Sequence, residues 1–139
     1  KTASKVVLLD SIISNIDRTV KNTNLLHWNK ELWIIDNGAS FYFHHNWNTW
    51  ENHLTRTFPL IKDHVLLKSA SGLKEASKEI TDTLSADVIK DIISKIPEEW
   101  LIEDSNTLSP NEIRAAYVTY LNAKLNRIDT LVKEAEDAR

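Results

Sequence analysis

The stretch from Asn15 to Gly38 leaves the chain little freedom of fold. Eight of the ten residues from Asn15 to Asn24 are Asn, Asp, Arg, Thr or Lys, a composition that suits a loop and neither a buried helix face nor an alternating strand. Two apolar tetrads follow, Leu25-Leu26-His27-Trp28 and Leu32-Trp33-Ile34-Ile35, parted by Asn29-Lys30-Glu31. Short apolar runs joined by a turn predict a β-hairpin. Asp36-Asn37-Gly38 then breaks the second strand, and Gly38 permits a sharp backbone turn. Because a hairpin returns on itself, Asn22 and Asp36 are expected to converge although 14 positions separate them.

The rest of the chain reads as helical. Val6, Val7, Leu9, Ile12 and Ile13 recur near the helical period and predict a helix over residues 4–14. Four of the five tryptophans fall between positions 28 and 50, with Phe41, Tyr42 and Phe43 among them. Trp28, Trp33, Phe41, Phe43, Trp47 and Trp50 are expected to form a dense aromatic core beside the polar loop. Residues 58–70 read as irregular but apolar, with Val65-Leu66-Leu67 buried. A short, weakly amphipathic helix is expected from Leu73 to Thr81. Ser85 is an N-cap for a helix carrying Val88, Ile89, Ile92 and Ile93. Pro97 ends that helix, and Trp100-Leu101 is expected to pack after the turn. Ser109-Pro110-Asn111-Glu112 is a capping box with proline at the first helical position. The apolar positions from Ile113 to Leu131 predict that the helix it opens exceeds twenty residues and frays over residues 134–139. No repeat, low-complexity tract or linker divides the chain. The expectation is one domain over residues 1–139, with the polar loop, hairpin and aromatic segment in 1–60 and a helical part in 61–139. The class is mainly α with a small β-hairpin (α+β).

Composition excludes several functions. The net charge is −3, and the first 60 residues hold 5 acids and 6 bases. No basic stripe exists to neutralise a phosphate backbone, so nucleic acid is not expected as a direct partner. No apolar run approaches the ~20 residues of a membrane span. Cysteine is absent, which removes any disulfide framework or thiolate metal site and suits the cytoplasm. Only two glycines occur, Gly38 and Gly72, so no Gly-rich loop can cover nucleotide phosphates. The chain has no methionine and begins at Lys1, which points to a trimmed piece of a longer protein.

Asp17, Asn22 five positions on, and Asp36-x-Gly38 after a strand pair follow an order that resembles the catalytic segment of protein kinases. In that reading Asp17 is a carboxylate within reach of a substrate hydroxyl. Asn22 and Asp36 bind the cofactor, as hard oxygen ligands for magnesium. The same residue types also form ordinary turns, and that alternative stands beside the catalytic one. More specifically, NIDRTVKNTNLLHWNKELWIIDNGASFYFHHNW resembles the catalytic segment of HipA-like kinases. It is closest to a bacterial branch with N-x-D-R-x-x-x-N-x-N-L-L and I-D-x-G-A segments. Three later pieces are similar to the same branch: Lys62 to Leu67, Ile96 to Leu101, and Arg114…Tyr117…Tyr120-Leu121.

The resemblance covers nearly the whole chain. It implies the C-terminal lobe of a protein-kinase-like fold, with Asp17 as catalytic aspartate, Asn22 and Asp36 as magnesium ligands, ATP as donor and a protein serine or threonine as acceptor. Two departures stand out. Arg18 follows the aspartate where typical protein kinases place His-Arg before it, and Asn37 stands where many relatives carry His. The phosphate-covering loop and nucleotide-binding lysine are not within these residues, so an N-terminal lobe or companion chain is expected to supply them, and the chain alone is expected to be a poor catalyst. The competing expectation is a non-catalytic binding or regulatory module, a degenerate kinase lobe, in a toxin–antitoxin-like system. A structural helical adaptor is a third.

Other residues carry blander expectations. His27, His44, His45, His53 and His64 contain no HExxH pair, and a zinc site is not expected. His44 or His45, adjacent on a strand, is expected to hydrogen-bond the polar loop. Arg18 is expected to brace that loop through an ion pair, with Asp63 as partner, in preference to a phosphate contact. Asn15 and Asn24 are expected to brace its backbone, and Lys21 either to be solvated or to approach phosphate.

Overall fold

The computed structural model describes residues 1–102 and 108–139. Helix α1 spans Thr2–Ile13, and the hairpin strands are β1 (Leu25–Trp28) and β2 (Glu31–Ile34). Four short 3-10 turns follow, at Tyr42–His45, Trp47–His53, Pro59–Asp63 and Leu67–Ser69. Helices α2 (Leu73–Thr83) and α3 (Ala86–Ser94) come next, then a 3-10 turn at Glu98–Trp100, then α4 (Pro110–Leu125) and α5 (Ile128–Ala138). The described residues are mostly helical with one two-stranded antiparallel sheet, as the sequence predicts. No helix among the described residues is long and apolar enough to cross a membrane.

Helix α1 is the centre of the packing. Seven of its residues are buried, on both of its faces: Ser4, Val6, Val7, Leu8, Asp10, Ser11 and Ile12. Val7 and Leu8 join Ile61, Leu67, Leu73 and Ala76 with Val132 and Ala135 of α5 in the main core. Ile12 packs with Ile128 and Leu131. Burial of a side chain such as Leu8 or Ile12 contributes roughly 1.5–3 kcal/mol. The buried serines of α1 are hydrogen-bonded. Ser11 Oγ donates to the Val7 carbonyl at 2.9 Å, and Ser4 Oγ accepts the Gly72 N–H at 3.1 Å. The helix stops because Ser14 turns left-handed, at φ 53°, and directs its N–H back to the Asp10 carbonyl.

The helix starts follow the sequence signals. Ser85 Oγ accepts the Val88 N–H, and Ser109 and Glu112 close a complete capping box. The long final helix does not form as one rod. Apolar periodicity runs unbroken from Ile113 to Leu131, but the chain bends at Asn126 and Arg127, where φ and ψ of Arg127 are −117° and 21°. The bend lets Ile128, Leu131, Val132 and Ala135 cover α1, a tertiary demand that periodicity does not encode. Nor does the end fray. Glu134 Oε2 accepts the Phe58 N–H at 2.6 Å, and Arg139 Nη1 donates to the Ala70 carbonyl at 3.1 Å.

The aromatic core is smaller than expected. Phe43 is buried against Tyr120, with ring centroids 4.5 Å apart, and Phe41, Trp47 and Tyr117 surround it. Trp28 and Trp33 instead stand 67% and 50% exposed, and Trp100 is 75% exposed. The hairpin pairs Leu26 with Trp33 on its outer face, and no second layer among the described residues lies over them. Its turn is the two-residue Asn29-Lys30, with φ of 49° and 66°, the positive-φ pair that tight hairpins favour, so β2 begins one residue earlier than expected.

Lys124 is buried beside this aromatic cluster. Its Nζ donates to the Arg56 carbonyl at 2.6 Å and lies 5.2 Å from the Tyr120 ring centroid. Burial pushes its ammonium pKa down to about 8. Folding therefore expels a proton between pH 8 and the unfolded lysine value, and the native state gains stability as pH rises through that window. Urea denaturation from pH 8 to pH 10 is expected to show the protein gaining about 1–2 kcal/mol relative to a Lys124→Met variant, after allowance for solvent screening. Comparison with the variant cancels the opposing contribution of Tyr120, whose hydroxyl burial raises to about 12.

Candidate functional site

The loop after α1 is held to the end of that helix by Asn15. Its Oδ1 accepts the Asp17 N–H at 3.1 Å, and its Nδ2 donates to Asp10 Oδ1 at 3.3 Å. Further on, Thr19 N–H reaches the carbonyls of Asp17 and Asn22, and Val65 N–H reaches the Arg18 carbonyl. Asp17 is thus fixed from its backbone outward.

The hairpin's open end brings the remaining residues together. Asp17 Oδ2 accepts Asn22 Nδ2 at 2.6 Å and Asn24 Nδ2 at 3.3 Å. The same Asn24 amide donates to the Asp36 carbonyl at 3.3 Å, and Ile35 N–H bonds the Asn24 carbonyl at 3.1 Å. Asn24 therefore joins the Asp17 loop to the Asp36 turn, and Asn15 and Asn24 brace the loop as their positions suggest. Asp36, not Gly38, takes the left-handed backbone conformation, at φ 49°. Asp36 is exposed, and its carboxylate takes no hydrogen bond from the described residues.

Beneath this surface lies a buried polar cluster. Arg18 is 1% exposed although it sits in a loop. Its Nε donates to Asp10 Oδ2 at 2.5 Å and its Nη2 to Asp10 Oδ1 at 3.4 Å. Its Nη1 donates to the carbonyls of Asn24, at 2.5 Å, and Ile35, at 3.4 Å, while Nη2 also reaches Asn37 Oδ1 at 2.5 Å. His64 completes the cluster. Its Nδ1 accepts the Leu66 N–H at 3.0 Å, so the proton sits on Nε2, which donates to Asp10 Oδ2 at 2.9 Å. The Asp10 carboxylate thus faces one permanent cation and one neutral imidazole, and the buried charges cancel.

Two expectations are corrected here. The partner of Arg18 is Asp10, not Asp63, which is exposed. A carboxylate between Val7 and Ile12, inside an apolar run, was the available signal, since a buried charge demands a partner. The histidine that braces the loop is His64. His44 lies on a 3-10 turn and its Nδ1 meets the Tyr117 hydroxyl at 3.3 Å, while His45 is exposed.

No group of three or more His, Asp or Glu residues able to hold a metal occurs among the described residues. The donors at the hairpin end are one carboxylate, Asp36, and one amide oxygen, Asn22 Oδ1, neither of which accepts a hydrogen bond from the described residues. Two hard oxygens suit magnesium, which keeps several waters and takes further oxygens from phosphate.

A family model described as HipA-like kinase matches residues 1–131. No curated protein and no solved structure matches the chain.

Removing the negative charge of Asp10 leaves the Arg18 cation buried and unpaired. Asp10→Asn is expected to lower the unfolding free energy by about 3–5 kcal/mol in urea denaturation. Asp63→Asn, at the exposed position, is expected to stay within about 0.5 kcal/mol of the parent.

Proposed function

The chain belongs to the HipA-like kinase family, and from that premise we propose that it forms the catalytic lobe of an enzyme that transfers the γ-phosphoryl group of ATP to a serine or threonine hydroxyl on a protein. The observation that carries this reading is the gathering of Asp17, Asn22 and Asp36 at the open end of the hairpin, joined through the Asn24 amide.

Asp17 is the proposed general base. Two amide donors hold its Oδ2, which leaves Oδ1 to accept the proton of an incoming hydroxyl. Asn22 has two tasks in this reading: its Nδ2 orients Asp17, and its Oδ1 would hold magnesium together with the Asp36 carboxylate. Bound Mg-ATP supplies the phosphoryl group and neutralises the charge that develops on transfer. The protein's share is positioning, which the hydrogen-bonded loop and turn provide before any ligand arrives.

The outer face of the hairpin supports a two-part site. Leu26, Trp28 and Trp33 share that face and are 48%, 67% and 50% exposed. With no Gly-rich loop in the chain, the phosphates need cover from elsewhere. We read this apolar face as the seat of a nucleotide-binding lobe, in the same protein or in a companion chain.

The test is ATP turnover by the intact protein with a serine/threonine peptide acceptor, paired with calorimetry of Mg-ATP binding. Asp17→Asn is expected to bind Mg-ATP normally and to lose about 10²–10⁴-fold in kcat. Asp36→Ala is expected to lose magnesium-dependent nucleotide binding. Equal Mg-ATP binding by the parent and Asp36→Ala would remove the metal assignment. Tight binding without turnover would favour the non-catalytic regulatory lobe.

A further inference from the structure

Asp36 carries the carboxylate proposed for magnesium, yet no hydrogen bond or ion pair from the described residues holds that carboxylate. Its direction must come from the backbone, and Asp36 holds a left-handed conformation that is uncommon for a residue with a side chain. Something therefore has to hold the turn. Asn37, the next residue, is exposed, but its Oδ1 points inward to Arg18 Nη2 at 2.5 Å. The Asn37 carbonyl also accepts the Ser40 N–H at 3.1 Å and closes the turn. No other side chain of residues 36–38 is hydrogen-bonded to the interior among the described residues. The guanidinium that receives Asn37 also holds the carbonyls on both sides of the hairpin, at Asn24 and Ile35, and is anchored to α1 through Asp10.

We propose that Asn37 is a positioning residue for Asp36: through its bond to Arg18 it holds the left-handed turn and so aims the Asp36 carboxylate at the metal. The inference rests on the kinase reading above. A charge-assisted bond between a fixed guanidinium and an amide oxygen is stronger and more directional than a neutral one. Its loss leaves the Asp36 turn held from outside only by the Asn24 bond to the Asp36 carbonyl, and so loosens it without uncovering the core, because Arg18 Nη2 keeps its contact with Asp10 Oδ1. The role is therefore separable from global stability.

The test uses the intact protein and two variants. Asn37→Leu is close in size and removes the acceptor, whereas Asn37→Asp keeps an acceptor oxygen for Arg18. Backbone hydrogen exchange at Ser40 is followed in metal-free protein, and Mn²⁺ uptake is followed by electron paramagnetic resonance with a non-hydrolysable ATP analogue. Asn37→Leu is expected to melt near the parent temperature, to exchange faster at Ser40, and to bind Mn²⁺ about tenfold more weakly. Asn37→Asp is expected to restore both protection and Mn²⁺ uptake. Parent-like Mn²⁺ uptake by Asn37→Leu, or failure of Asn37→Asp to restore protection at Ser40, would overturn this inference alone. A parent that takes up no Mn²⁺ with the analogue would overturn the kinase reading and this inference together.

Discussion

The pairing of Asp10 with Arg18 is the constraint on which the rest of the structure depends. It joins the most buried helix to the loop that follows it, across only eight residues of sequence. Five of the guanidinium's contacts run to Asp10, Asn24, Ile35 and Asn37. A helix end, both feet of a hairpin and a tight turn are thereby held by one side chain. Arginine suits this place where lysine would not, because its planar fork presents five donors in fixed directions. The buried cluster is fully hydrogen-bonded, and its one negative and one positive charge cancel, so the desolvation cost is offset by geometry.

This arrangement also explains the departure at position 18. Arg18 follows the aspartate, so the chain direction that exposes Asp17 turns Arg18 inward. One residue faces the surface and the next faces the buried support beneath it. Neighbours in sequence therefore have opposite environments, Asp17 half-buried at the surface and Arg18 enclosed. Asn15 and Asn24 show the same economy, each amide bonding two parts of the site at once.

What could be read from the sequence was local. The hairpin, the loop before it and the capping box at Ser109 follow from turn chemistry and capping, which act over a few residues. The bend at Asn126 and Arg127 was not legible, because both halves keep the same apolar period and only the position of α1 requires a change of direction. The exposure of Trp28 and Trp33 was not legible either, since aromatic content measures apolar area and not what covers it. The partner of Arg18 lay within reach, because Asp10 stands inside an apolar helical run and a buried carboxylate demands a partner. Convergence of Asp17, Asn22 and Asp36 followed from the hairpin. The Arg18 bond to Asn37 did not, because side-chain direction is a tertiary property.

The inward turn of Arg18 has a consequence for the field outside. Arg18 is the cation closest in sequence to Asp17, and its charge is already matched by Asp10. No ion pair involving Asp17 or Asp36 forms among the described residues. The open end of the hairpin thus presents two carboxylates that no cation among the described residues pairs. In the proposed kinase reading, a bare nucleotide polyanion approaching it would meet like charge, while a cation, or a nucleotide already carrying one, would be drawn in. The burial of one arginine thereby shapes the charge of a surface that it never reaches.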